Sequence, residues 1–111
     1  MVCGLLIETK DAVDNIEDIC KVEGIDYLMI ATFDLSTELG VPGKFDAPIL
    51  LDAVKHVEQA VLGAGIALGA AALTREQAQG NIRRGHRILV YGFDVLILKQ
   101  HGRQAAEWAR S

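Results

Sequence analysis

The sequence predicts an α/β fold built on a parallel sheet, and three observations carry that prediction. Four short apolar runs punctuate the 111 residues. Each is followed by a segment whose apolar residues recur at helical spacing, and glycines close most of these segments. A strand covered on both faces needs no alternation of apolar and polar residues, which is how the runs read. A strand that re-enters a sheet in the same direction needs a crossover, which the helical segments supply. The chain therefore reads as four consecutive parallel βα units forming one domain over residues 1–111, without a linker or low-complexity tract.

The first unit opens with the run Val2 to Ile7 (VCGLLI) as a strand. Thr9 then caps a helix carrying Val13, Ile16, Ile19 and Cys20, which Gly24 ends in the left-handed conformation glycine tolerates. In the second unit Tyr27 to Ala31 (YLMIA) is the strand. A long stripe of Leu50, Ala53, Val54, Val57, Val61 and Ala64 is its helix, stopped by Gly65, with Asp46 as cap and Pro48 in the first turn. Between them Leu35 to Phe45 (LSTELGVPGKF) reads as a long loop, the kind of segment in which binding usually resides. The third strand is Ile66 to Gly69, followed by a helix with a Thr74/Gln77 capping box and a stop at Gly85. The fourth is Ile88 to Tyr91, and its helix runs from after Asp94 through Leu98, Ala105 and Trp108, with Gly102 as a weak point inside it.

Composition narrows the function classes. Half of the residues are hydrophobic, too many for a disordered chain, and 15 acidic against 11 basic residues give a net charge of −4. That balance offers no basic footprint to nucleic acid. No apolar run approaches the roughly 18–20 residues of a membrane span, so no membrane partner is expected. Cys3 and Cys20 lie in apolar periodic segments, which suggests buried free thiols in a reducing cytoplasm rather than a disulfide.

In parallel α/β architecture the chemistry gathers at the C-terminal ends of the strands. Glu8 follows the first strand, Asp34 the second and Asp94 the fourth; the third ends in small residues, Gly69 to Ala72, that leave space. Glu8 and Asp34 emerge from consecutive strands and converge on one mouth. Two carboxylates without cysteine or histidine suit a hard divalent cation, Mg²⁺ or Mn²⁺. The alternative is that both are caps or loop acids, favourable at helix N-termini on dipole grounds alone. Arg75 opens the third helix on the same side, either to reach a substrate carboxylate or simply solvated. His56, His86 and His101 fall on helix faces or at the opposite end, and are expected to be solvated or to face a partner. The basic cluster Arg83, Arg84 and Arg87 is expected to be solvated or to pair with acids across an interface. The glycines of Gly40-Val41-Pro42-Gly43 punctuate a loop, and no dinucleotide or P-loop fingerprint is present.

These segments together carry a resemblance. IETKDAV around Glu8, VEGIDYLMIATFDLSTELG around Asp34, GAGIALGA and ILVYGFDVLIL occur in the order seen in the HpcH/HpaI aldolases. That family comprises class II, metal-dependent pyruvate aldolases of the phosphoenolpyruvate-binding barrel superfamily. The resemblance implies that Glu8 and Asp34 are the metal ligands and that backbone N–H groups of Phe33 and Asp34 hold the pyruvate carboxylate. Two departures stand out: Phe33 and Phe93 occupy positions where the family has small residues. The family folds as a (β/α)₈ TIM barrel of about 250 residues. This chain resembles only its last four units, so the resemblance implies a half-barrel without the family's histidine base.

A half-barrel leaves two edge strands unpaired and an apolar inner face. The expected remedy is a homodimer or higher oligomer, in which the first strand of each chain pairs with the fourth of the other, or a complementary half-barrel chain. Swapping of the last helix, a habit of the family, is a third route. Three functions follow from the resemblance. The first is reversible aldol cleavage of a 2-oxo acid, with Asp94, Glu38 or metal-bound water substituting for the base. The second is a non-catalytic metal and 2-oxo acid binding module. The third is a fragment made active by a first-half partner.

Overall fold

The computed structural model describes residues 1–111. It contains four strands, β1 (Gly4–Ile7), β2 (Tyr27–Ile30), β3 (Ala67–Ala72) and β4 (Ile88–Tyr91). They form one parallel sheet in sequence order, so β1 and β4 are its edges. The crossovers are α1 (Lys10–Asp14) and α2 (Ile16–Ile19), then α3 (Thr32–Glu38) and α4 (Pro48–Gly63), then α5 (Arg75–Arg83); α6 (Asp94–Arg110) ends the chain. The parallel βα architecture read from the apolar runs is therefore the observed one.

Register assigns the two faces. Ile7, Ile30, Ala70 and Leu89 lie in one row, with Leu28 and Leu68 in the neighbouring row of the same face. Ile7, Leu28, Ile30, Leu68 and Ala70 pack with Val13, Ile16, Leu35, Leu50, Val57 and Val61 into one buried cluster, which is the core between sheet and helices. The opposite face carries Leu6, Met29, Gly69 and Ile88 in register, and Leu6 and Val90 on it are largely exposed. Gly69 is a position of close approach: a Cβ there would collide with the Met29 sulfur and with Ile88. The small residue lets both neighbours fold over the strand.

Local structure departs from the sequence reading in ways that have causes. β1 is shorter than Val2–Ile7, because pairing with β2 begins only at Gly4 opposite Tyr27. β2 stops at Ile30 rather than Ala31, which caps α3. β3 runs on to Ala72, because Gly69–Ala72 pair with β4; the small residues read as a spacious strand end lie inside the strand. The first helix is broken at Asn15, whose side chain donates to the Asp11 carbonyl at 2.8 Å. Thr9 caps α1 as expected, accepting from Ala12 N at 3.1 Å. Gly24, at φ +90°, lies beyond α2 and turns the chain toward β2 rather than stopping the helix directly.

Two further readings are corrected. Asp46 is not the cap of α4: Ala47 holds that position without a side-chain bond, and Pro48 starts the helix. Pro48 has no N–H to satisfy, which reduces the need for a side-chain acceptor. Leu35 to Phe45 is not all loop, because its first part belongs to α3. Ser36 closes that short helix on itself, donating to Phe33 O at 2.5 Å and accepting from Gly43 N at 3.0 Å. The Thr74/Gln77 box is present, with Thr74 accepting from Gln77 N and Gln77 Oε1 from Leu73 N. Cys3 and Cys20 are free as expected but only half-buried. No helix is long and apolar enough to cross a membrane.

The last helix stands apart. It spans 17 residues and buries none of them, and Val95, Leu98 and Trp108 are exposed. Leu89 and Tyr91, on the helix-facing side of β4, stay exposed as well.

Candidate functional site

Ile7 and Ile30 are register partners at the ends of β1 and β2, and Ala31 N donates to Ile7 O at 3.1 Å. Glu8 and Ala31 therefore leave adjacent strands side by side at the C-terminal end of the sheet. Asp34 follows within the first turn of α3. Both carboxylates are exposed, and Asp34 lines a cavity of about 730 Å³ while Glu8 does not. The N–H groups of Thr32, Phe33 and Asp34 have no protein acceptor; the first donor of α3 that finds one is Leu35 N, bonded to Ala31 O at 2.9 Å. Unpaired donors at a helix start favour an anion.

No cluster of three or more histidine, cysteine, aspartate or glutamate side chains is assembled anywhere. A metal held here by the chain alone would have two carboxylate ligands, with the rest of its shell from water or substrate. That donor set fits a hard, hexacoordinate cation such as Mg²⁺, which keeps several waters and demands oxygen. The donor chemistry thus suits the kind of metal that the resemblance implies for Glu8 and Asp34, while the chain by itself assembles no metal-holding cluster there.

The other site candidates are placed differently. Phe33, adjacent to Asp34, lines the cavity and is 59% exposed, with its ring centroid 6.3 Å from that of Phe45. Phe93 lines the same cavity. Arg75 is exposed at the start of α5, outside the lining and without an ion pair. Glu38 ends α3, exposed and outside the lining. Asp94 begins α6, also outside it, with Oδ1 accepting from Val95 N at 2.8 Å. Glu38 sits one helical turn beyond Asp34 on α3, but neither it nor Asp94 lines the cavity.

His86 corrects an expectation. It is neither solvated nor facing a partner, but is 4% exposed, with Nε2 2.7 Å from Glu58 Oε1. Arg84 is likewise paired within the chain, donating through Nε to the same oxygen at 2.9 Å and through a terminal nitrogen to Asn81 Oδ1 at 2.8 Å. Burial by itself pushes the Glu58 carboxyl up; the hydrogen bonds from His86 and Arg84, aided by their charge, outweigh it and hold the group below the usual carboxylate range. This polar knot ties α4, α5 and the entry to β4 together. Sequence reading missed it, although Glu58 beside Val57 and Val61 on the buried stripe was a signal. His56, His101, Arg83 and Arg87 are exposed as expected.

The sequence pattern of the HpcH/HpaI aldolase/citrate lyase family matches residues 2–100. The chain belongs to that family. It is 36% identical over 104 residues to a 4-hydroxy-2-oxovalerate aldolase of Rhodococcus jostii, covering 93% of this chain and 40% of the relative. Against a hydroxypyruvate/pyruvate aldolase of Chromohalobacter salexigens the identity is 32% over 94 residues, 85% of this chain and 37% of the relative. Its fold superposes on a crystal structure of an HpcH/HpaI aldolase/citrate lyase family protein from Burkholderia cenocepacia with a TM-score of 0.93. That comparison has 30% identity and covers 100% of this chain and 43% of the other. The chain thus spans about two fifths of the length of the relatives it matches. Its four βα units form part of a TIM-barrel-like fold. The family is one of metal-dependent aldolases, and this chain carries the C-terminal strand ends on which such folds place their chemistry.

Proposed function

We propose that the chain is the metal- and 2-oxo-acid-binding half of an aldolase barrel, performing reversible aldol cleavage once the barrel is completed. The observation that supports this most is the placement of Glu8 and Asp34. Glu8 directly follows β1, and Asp34 lies in the first turn of α3 after the adjacent strand β2, beside free N–H groups at the start of that helix. In this reading Glu8 and Asp34 hold Mg²⁺ or Mn²⁺, and the Phe33 and Asp34 N–H groups receive the carboxylate of pyruvate or a related 2-oxo acid. When bound, the cation supplies Lewis-acid stabilisation of negative charge building on the keto oxygen. The chain's own part is to orient the carboxylate and keep the apolar cavity wall against the methyl group that loses its proton.

A base is the missing element. Asp94 and Glu38 lie outside the cavity lining, and His86, which lines it, is committed to Glu58. A positioned base contributes about 10²–10⁴-fold, so the chain alone would enolise slowly and a partner would restore the rate. The unpaired edges β1 and β4 are where that partner attaches, as a second copy or a complementary half-barrel chain. The free Cys3 and Cys20 suit a cytoplasmic setting. The lack of a free base is also what a purely binding module would have, and that is the second reading.

The test is exchange of pyruvate methyl protons into D₂O with Mg²⁺ or Mn²⁺, for the chain alone and mixed with a first-half chain. Slow exchange alone that quickens on mixing supports the enzyme. Pyruvate binding by calorimetry with no exchange in either sample leaves the binding module. No metal binding at all overturns both.

A further inference from the structure

The two edges of the sheet differ in charge. Through Asp52 the chain carries eleven acidic and three basic residues; beyond it, four acidic and eight basic. The β1 edge is flanked by α1 and α2, with Asp11 and Glu17 exposed on them and Glu23 exposed just after. The β4 edge is preceded by Arg87 and followed by α6 with Lys99 and Arg103, all exposed. None of these six residues takes part in an ion pair within the chain. An acidic edge and a basic edge on one arc are complementary to each other. A second copy turned about the barrel axis therefore meets each edge with its opposite. A different half-barrel chain would have to repeat this asymmetry to fit as well.

The strand register permits the same closure. A closed eight-stranded barrel has a stagger of about eight residues per circuit, hence about four per four-stranded half. The arc already supplies two: the row through Gly4, Tyr27 and Ala67 crosses the chain at His86, two residues before β4 begins. Carrying the row of Leu6, Met29, Gly69 and Ile88 through the full half-circuit stagger sets Ile88 opposite the partner's Val2. Leu89 then falls opposite the partner's Cys3, and because the offset is even, inner face meets inner face. Val2 and Cys3 precede the part of β1 that pairs with β2, and Val2 is 73% exposed. The seam gives these residues a neighbouring strand.

Resting on the reading above that association completes the barrel, we propose that the partner is a second copy of this chain. Two identical seams join the copies, β4 of each pairing in parallel with β1 of the other in the register just given. The two-fold axis runs along the barrel, so every strand points the same way and both Glu8/Asp34 pairs open at one end. The turn after β4, with Asp94, then neighbours the partner's Glu8.

The test uses the full chain without metal or pyruvate. In sedimentation it is a dimer whose dissociation constant rises about tenfold from low to high salt, as exposed opposite charges are screened. Asp11→Lys/Glu17→Lys/Glu23→Lys and Arg87→Glu/Lys99→Glu/Arg103→Glu each bring like charges together at both seams and sediment as monomers. An equimolar mixture of the two variants is a dimer again, because each seam then joins opposite charges. Unchanged far-ultraviolet circular dichroism shows that the variants fold. Register is read by Leu89→Cys in a Cys20→Ala background, which copper phenanthroline links to the partner's Cys3 as a covalent dimer. Within one chain β1 and β4 are three strand spacings apart, about 14 Å, beyond the roughly 7 Å that a disulfide spans. Val90→Cys, on the opposite face of β4, does not link. A wild-type monomer at low salt, a mixture that stays monomeric, equal linking from Val90→Cys, or a ladder of larger covalent oligomers overturns the proposal. A monomer that pairs only with a first-half chain likewise overturns it and leaves the metal reading intact. A dimer with the expected seam that takes up no Mn²⁺ keeps the second copy and removes the metal reading.

Discussion

Replacing Glu58 with glutamine tests the polar knot that joins α4, α5 and the start of β4. Glu58 Oε1 meets His86 Nε2 at 2.7 Å and Arg84 Nε at 2.9 Å. A hydrogen bond to a charged group contributes about 1.5–3 kcal/mol in a buried setting. The His86 arm qualifies, since its side chain is 1% exposed. The Arg84 side chain is 50% exposed, so screening reduces that arm to about 0.5 kcal/mol. Glutamine keeps one neutral acceptor and recovers part of the His86 arm, leaving a net loss of about 2 kcal/mol. For a domain of this size that lowers the melting temperature by about 10 °C.

The acid side gives an independent readout of the same substitution. The folded Glu58 carboxyl titrates below its usual range, so its contribution is complete above the unfolded value of about 4.3. It is lost as pH falls through the lower, folded value. Urea unfolding by circular dichroism at pH 7 and again from pH 5 to 3 measures both. The wild-type chain loses stability over the acid range, and Glu58→Gln loses less. A change under 0.5 kcal/mol at pH 7, or parallel acid profiles, would refute the reasoning.

Three more outcomes are expected. Glu8→Gln and Asp34→Asn each abolish Mn²⁺ binding in calorimetry while the melting temperature stays within a degree or two, because both side chains are exposed. Ile30→Ala, at a position 1% exposed in the core cluster, costs about 2–5 kcal/mol in urea unfolding. Val90→Lys on the exposed inner face leaves the fold intact but shifts the chain toward monomer in light scattering, because the charge would be buried on barrel closure. Unchanged association there would contradict closure through that face.

The regular parts of the fold were legible because local chemistry decides them. β4 is the run ILVY as read, and Thr9 and Thr74 cap helices through bonds made within three residues. The positions of Glu8 and Asp34 after β1 and β2 are legible because strand ends can be read from apolar runs, and consecutive parallel strands put their ends together. What escaped depends on distant partners. α3 has just seven residues, and Ser36 closes it through Gly43, seven positions away. The Glu58–His86 contact spans 28 positions, which no local period reveals. Position along the chain is all that marks Asp94 and Glu38 as candidate bases. The helices that carry them leave them outside the cavity lining.

The order of the strands has a kinetic side. Each strand pairs only with its neighbours in sequence, through the crossover that joins them. The longest closure inside the chain is that of β2 on β3, with register partners such as Leu28 and Leu68, so every pairing in the arc is an intramolecular step. In the proposed closed barrel, sealing β1 against a fourth-strand edge would be an intermolecular event, a collision between separate molecules or halves. Refolding of the arc should then proceed at a rate independent of protein concentration. Joining of the edges should follow as a second phase that accelerates as the chain is concentrated.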